Sequence, residues 1–537
     1  MQLIDQHVKK IMEECKVRAR DAGLEFYDET LEYIVTNKDL IELSPKVMIP
    51  TLYDYWVHDV EVLKGHGVYK LYPTNPYETV INSRPAISFY NDNNPDWLNI
   101  MIFYHVLAHI DFYQNNILFE KTWDDDFVGR ALADKRMIAN LRSDHGRWVD
   151  YVIEFSRGID NLVGYFNALY DKEYTAARDL SGKLDYYFSE FLQNQEQSDI
   201  QEIFKEVERY NELQQRNPEH CESLFLSDVQ SNYPEFQAKY EKAEQEKREE
   251  RSDNVMAYIL EHSRFLEKEE NVWMKTVMGI VQSTALYFEP QIRTKIANEG
   301  WASYWHDHLF RMDDRIEGHE VAYSKTHSGV TSISRVGLNP YAIGMRLYEY
   351  IEKLADRGKL NFQFQKISNI QERKDYDTGV FKGQEAIFSV RKNFSDFVLI
   401  NTFVDQDFVD EHNLFVVGIR QNKQRGTREF YVKSRNSEDY RQMLVDSLYH
   451  PPKITIDEDK TDESNLYLVH HYEKKPLVNE YIPDTMMGIE YLLGGQVQLE
   501  TTEVIRKRPE TEDEEPEMEL RRVLYTMKDR KISKVDL

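Results

Sequence analysis

Two stretches of this chain put chemically active side chains on an otherwise apolar helical stripe. In the first, DWLNIMIFYHVLAHIDF, Leu98, Met101, Ile102, His105 and His109 recur at three- and four-residue steps, the period of one helix face. Asn94 ahead of it reads as an N-cap and Pro95 as the first helical residue. The second stretch runs from Pro290 through QIRTKIANEGWASYWHDHLF, with Ile292, Ile296, Glu299, Ser303, His306 and Phe310 on one stripe. A carboxylate and imidazoles aimed at a core are costly unless paired or bound to metal. The pattern therefore predicts an internal polar or metal site inside a mostly helical domain.

The rest of the chain sorts by texture. Residues 1–192 read as a helical region, broken by a polar, Pro-containing passage from Tyr72 to Pro95. Over 193–252 Glu, Gln, Lys, Asn and Ser dominate, ending in KAEQEKREER, the mark of a solvated helical linker or hairpin. Helical periodicity resumes over 253–358 and completes the N-terminal domain, with Asn339-Pro340 as a further N-cap and first-turn pair. From 359 to 505 short β-like runs appear: FVLI (397–400), NLFVVGI (413–419), REFYVKS (428–434), KITI (453–456), LYLVHHY (466–472) and QVQLETTEV (496–504). Residues 506–537 form an acidic tail that closes on the strand-like RRVLYTM. The expected class is α+β, a large mostly helical N-terminal domain followed by a smaller α+β C-terminal domain.

Composition narrows the chemistry. A length of 537 residues suggests about three structural units at roughly 100 to 200 residues each. The net charge of -27 argues against nucleic acid and anionic membranes, which such a surface repels. No apolar run approaches the ~20 residues of a spanning helix, so no membrane insertion is expected and the chain reads as cytoplasmic. Cys15 and Cys221 are too few for a disulfide framework or a thiolate zinc site, which leaves His and carboxylate ligands for any metal. There is no P-loop and no dinucleotide-binding glycine fingerprint.

His105 and His109, four residues apart, make the two-histidine face that zincins use, and Glu299 within NEGWA is analogous to the third-ligand segment of gluzincins. Three such ligands with an open position would suit hydrolysis by zinc or another divalent metal. The zincin general base is missing, because Val106 follows the first histidine; Glu289 or His306 would have to move the proton. His262 shares a stripe with Val255, Ile259 and Leu266, whereas His308 falls on a different face from Glu299 and His306. His470 and His471, adjacent on a strand, point to opposite faces. The competing reading of the cluster is a buried hydrogen-bond network that fixes helix packing.

The block IANEGWASYWH, preceded by YFEPQIRTK and followed by LNPYAIGMRLYEYIE, closely resembles the stage V sporulation protein R (SpoVR) family. YILEHS (258–263), HIDFYQNN (109–116), FVDQDFVDEHNLF (403–415) and MMGIEYLLGGQVQLET (486–501) fit the same family, so the resemblance spans roughly 20–505. It implies a cytoplasmic bacterial protein linked to spore cortex formation or to stress and stationary-phase physiology, with a serine protein kinase and a von Willebrand-type protein as partners. His109, Glu299, His306 and His262 lie in matched blocks as candidate metal ligands beside His105. His327 in KTHSGV and Asn339 are candidates to line the same cavity. Three functions follow as expectations: a metal-dependent hydrolase, a non-catalytic regulatory scaffold that docks the kinase, and a small-ligand sensor.

Overall fold

A computed structural model describes, in the main, residues 2–36, 78–163, 182–187, 221–241, 254–506 and 518–537, with short breaks inside these stretches. The chain forms two compact units, each assembled from two segments: Met1–Glu154 with Thr276–Pro451, and Phe155–Lys275 with Pro452–Leu537. The stretch 359–505 is thus shared between the units. Most of 193–252 and residues 507–517 lie outside the described residues.

The first unit is α+β with a helical body. Its helices used below are α1 (Gln6–Asp21) and α2 (Asp96–Asn115). The described residues of the second unit include α3 (Val255–His262), and α4 (Val272–Arg293) follows. Back in the first unit come α5 (Lys295–Arg311), α6 (Glu320–Val330), α7 (Pro340–Asp356), α8 (Gly383–Asn393) and α9 (Asp396–Phe403). α5 packs against α2 and α7, α8 packs against α7, and α1 packs against α2. Every residue of α2 from Leu98 to Tyr113 is buried. The single stripe expected for this segment is therefore corrected to a helix buried all round, as the near-continuous apolar run IMIFYHVLAHI allows.

The expected helical N-terminus also contains a sheet. Strands β1 (Gln2–Leu3), β2 (Thr30–Val35), β3 (Glu78–Ile81) and β4 (Ala86–Asn91) stand in the order β1-β2-β4-β3, with β2 parallel to β4 and the other pairs antiparallel. A two-stranded hairpin, β5 (Val416–Asn422) with β6 (Thr427–Ser434), completes the first unit's described strands. FVLI (397–400), expected as a strand, belongs to α9, because the Ser395 hydroxyl accepts from Val398 N and starts a helix there.

In the second unit β7 (Ile454–Ile456), β8 (Asn465–His470), β9 (Gln496–Arg506), β10 (Met518–Lys528) and β11 (Lys531–Asp536) form one sheet in the order β11-β10-β9-β8-β7, with helix α10 (Ile482–Leu493) joining the parallel pair β8 and β9. Four of the expected runs coincide with β6 to β9, and RRVLYTM lies within β10. A separate aromatic cluster built on Tyr187, Phe191, Phe225 and Phe236 lies in the same unit. Among the described residues no helix is long and apolar enough to cross a membrane.

Candidate metal centre

Two anchors set the position of α5, one against α2 and one against α7. Asp111, fully buried on α2, accepts from the Trp301 indole on α5 at 2.8 Å and from Glu25 N at 2.7 Å, with Arg391 Nε of α8 at 3.4 Å. Burial raises its pKa to about 6, while the Arg391 charge and these donors pull the other way. On the far side of α5, Gly300 crosses Gly344 of α7 so closely that a Cβ on either would run into the other helix's backbone. Glycine at these positions serves a helix crossing.

The N-terminus of α5 is set from outside the helix. Pro290 lies inside α4 instead of opening the second helix, which corrects the sequence reading. The chain breaks at Thr294, whose hydroxyl donates to Pro290 O at 2.7 Å, and α5 starts at Lys295. Asp396, at the start of α9, then accepts from Ile296 N and Ala297 N at 2.8 Å each. Ile292, expected on the inward stripe, is 46% exposed because it precedes this break.

This frame directs three ligand atoms toward one another. His109 Nε2 is 3.1 Å from His105 Nε2, and Glu299 Oε2 is 3.5 Å from His109 Nε2 and 3.8 Å from His105 Nε2. A triangle with these sides has a point about 2.0 Å from all three corners, the length of a bond from zinc to nitrogen or oxygen. His105, His109 and Glu299 therefore form a group that could hold a metal ion. Both rings are 5% exposed, and Glu299 Oε2 is buried without a hydrogen-bond partner. Burial, reinforced by His109 and His306, holds the His105 pKa well below its ordinary value, so its ring is neutral and available for ligation.

The surrounding shell fixes the rings. Asn298 Oδ1 faces His109 Nδ1 at 2.9 Å, and Asn298 Nδ2 donates to the Tyr113 hydroxyl at 3.4 Å. Tyr341 stacks on His105 with ring centroids 6.2 Å apart. His306 Nδ1 meets His105 Nδ1 at 3.0 Å, on the ring edge away from Glu299, and His306 Nε2 meets His327 Nδ1 at 2.9 Å. Burial, with His327 adding to it, lowers the His306 pKa to about 3.

The other expected site residues divide plainly. His306 and His327 join the cluster as neighbours of His105, outside the three converging atoms. His262, at the end of α3 in the second unit, is exposed, its ring stacked on Tyr258 and its Nδ1 3.1 Å from Tyr258 O. The stripe that pointed His262 inward gives way because α3 is only eight residues long and ends at that position. Glu289, buried near the end of α4, faces Arg293 Nη1 at 3.6 Å. Asn339 caps α7, accepting from Ala342 N, and its amide donates to Val330 O and Ser332 O. His308 is exposed. Sequence reasoning missed Asn298, Asp111 and Asp307; Asn298 adjoins Glu299 and Asp307 adjoins His306, yet neither fell on the inward stripe.

A helical body enclosing two histidines and one carboxylate is the architecture of a candidate metalloprotein. The chain belongs to the SpoVR family, since the family model described as SpoVR like protein matches residues 3–451. It is similar to the Uncharacterized protein YcgB of Escherichia coli (strain K12), 23% identical over 437 residues that cover 78% of this chain and 77% of that protein. No solved structure matches the chain.

Proposed function

We propose that this SpoVR-family protein binds one divalent cation, zinc in the first instance, through His105 Nε2, His109 Nε2 and Glu299 Oε2, and uses it in a hydrolytic reaction. The observation that carries the reading is Glu299 Oε2, a buried carboxylate oxygen without a hydrogen-bond partner that faces two imidazole nitrogens. A carboxylate oxygen buried without a hydrogen-bond partner is unfavourable, and a cation at this point would offset that cost. When bound, the ion would supply Lewis acidity at a position that three protein ligands leave open. The chain's own residues orient the ligands: Asn298 holds His109 and the His306 ring backs His105. Val106 stands where a zincin carries its base, and Glu289 is engaged with Arg293, so the hydrolytic half of the reading rests on the donor set and its open position. On this reading the physiological setting is the spore-cortex or stress response that the family resemblance implies.

The test is element analysis of the purified protein by plasma mass spectrometry, beside Glu299→Gln and His109→Ala, with circular dichroism as the folding control. Near-stoichiometric zinc that both substitutions abolish supports the centre and opens screening of amide and ester substrates. Iron in place of zinc would overturn the hydrolytic half, because two histidines and one carboxylate also serve oxygen-activating iron. Metal-free wild-type protein that takes up no added zinc would overturn the whole.

A further inference from the structure

Behind the three ligand atoms runs a line of contacts that metal binding alone does not require. It passes from His105 Nδ1 to His306 Nδ1 at 3.0 Å, from His306 Nε2 to His327 Nδ1 at 2.9 Å, and from His327 Nε2 to Asp307 Oδ1 at 3.6 Å. All three rings are buried, and the last pair brings the line close to the surface, where Asp307 accepts from the Tyr323 hydroxyl and from the exposed Arg311 at 2.7 Å. Burial pushes the Asp307 carboxyl up, but these donors and His327 outweigh it and hold it below its ordinary value, an ionised acceptor.

A neutral imidazole carries one N–H and one lone pair, so each contact in such a line needs one donor and one acceptor, and the first sets all the others. If His105 turns the lone pair of Nε2 toward a cation, its proton sits on Nδ1 and is donated to His306. His306 then donates from Nε2 to His327, and His327 directs its own Nε2–H at the Asp307 carboxylate. Every group in this arrangement is matched. In the opposite direction His105 donates from Nε2 to His109, and the line ends with a bare His327 Nε2 lone pair facing a carboxylate, two acceptors together.

We infer that His306, His327 and Asp307 are positioning residues that hold His105 in the tautomer with its proton on Nδ1, so that the cation affinity of the centre is set in part from Asp307, three contacts away. This rests on the metal reading above. Outer-shell partners of ligating histidines are typically worth about 10- to 100-fold in metal affinity.

The experiment measures zinc affinity of the full chain by competition with a chromophoric chelator, together with the melting shift that zinc induces. His327→Phe keeps ring volume and the stack on Tyr323, whose centroid lies 5.6 Å away, but accepts no hydrogen bond. His327→Gln loses the ring and keeps an acceptor and a donor. The expected result is a loss of about 10-fold or more for His327→Phe and recovery to within a few-fold for His327→Gln, with Asp307→Asn between them. A space-filling role would reverse that order and overturn the inference, as would equal zinc affinity in wild type and all variants. Should His327→Phe not fold, the comparison of Asp307→Asn with wild type decides in the same way. Wild-type protein that binds no zinc would instead fail the metal reading itself, which keeps the two failures distinguishable.

Discussion

Asn298 Oδ1 lies 2.9 Å from His109 Nδ1, and this one contact dictates which nitrogen of His109 faces Glu299. The amide oxygen is an acceptor, so Nδ1 carries the proton and Nε2 is left with a lone pair toward Glu299 Oε2 at 3.5 Å. Two electron-rich atoms held this way repel unless a cation sits between them. Asn298→Ala removes the restraint and is expected to weaken zinc binding by about 10-fold or more, whereas Asn298→Asp keeps an acceptor and is expected to match or exceed wild type. Chelator competition reads both; equal affinities in all three proteins would show that the ring is held by other contacts.

The Gly300–Gly344 crossing makes a second prediction. Gly344→Ala forces α5 and α7 apart where Ile296 O and Gly300 approach, and overpacking of this kind costs about 1–3 kcal/mol. Glu299 adjoins the crossing, so zinc affinity should fall together with the urea midpoint. Gly279, with open space around its added Cβ, is the control: Gly279→Ala on α4 should leave zinc affinity unchanged. A Gly344→Ala variant as stable as wild type would refute the closeness of the crossing.

The parts of this fold that the sequence makes legible are those where a local signal and the tertiary environment agree. Asn339-Pro340 is an example, since the Asn339 side chain caps the helix that Pro340 opens. The pairing of His105 and His109 with Glu299 is legible because all three follow a helical period. His262 follows one too, but it stands at the last position of an eight-residue helix and is exposed. The start of α5 is hidden for another reason: its cap, Asp396, comes from a residue about a hundred positions away and not from the local run. FVLI in α9 shows the third limit, that four apolar residues have the same look in a strand and a helix. The acceptors Asn298 and Asp307 lie off the apolar stripe, where polar residues are ordinarily solvated.

Asp396 offers a test of that long-range cap. Its two carboxylate oxygens satisfy two of the backbone N–H groups that every helix start leaves open. Asp396→Ala is expected to cost about 1–2 kcal/mol, in the range of lost N-caps, and to lower the urea midpoint. Because α5 carries Glu299, zinc-induced stabilisation should shrink as well. An unchanged midpoint would mean that water or another acceptor serves Ile296 N and Ala297 N equally well.

Asp313 predicts how the first unit responds to acid. Its carboxylate accepts from the Tyr104 hydroxyl at 2.7 Å, from Arg315 Nε at 2.8 Å and from Arg315 N at 3.0 Å. Burial acts to raise its pKa, yet the hydrogen bonds from Arg315 and Tyr104 and the Arg315 charge prevail and bring it from 3.8 to about 2. The folded pKa is the lower one, so as pH falls the unfolded chain takes up this proton first. The contribution is therefore complete above about pH 4 and is lost as pH falls through about 2, and it amounts to something on the order of 2 kcal/mol. Asp313→Asn removes the titration while keeping the shape. The melting temperatures of wild type and Asp313→Asn, followed from pH 6 downward, should differ most at the neutral end and converge as the pH approaches 2. A gap that stays constant over that range would show that the carboxylate's charge contributes nothing to the bond between Tyr104 and Arg315 that it bridges.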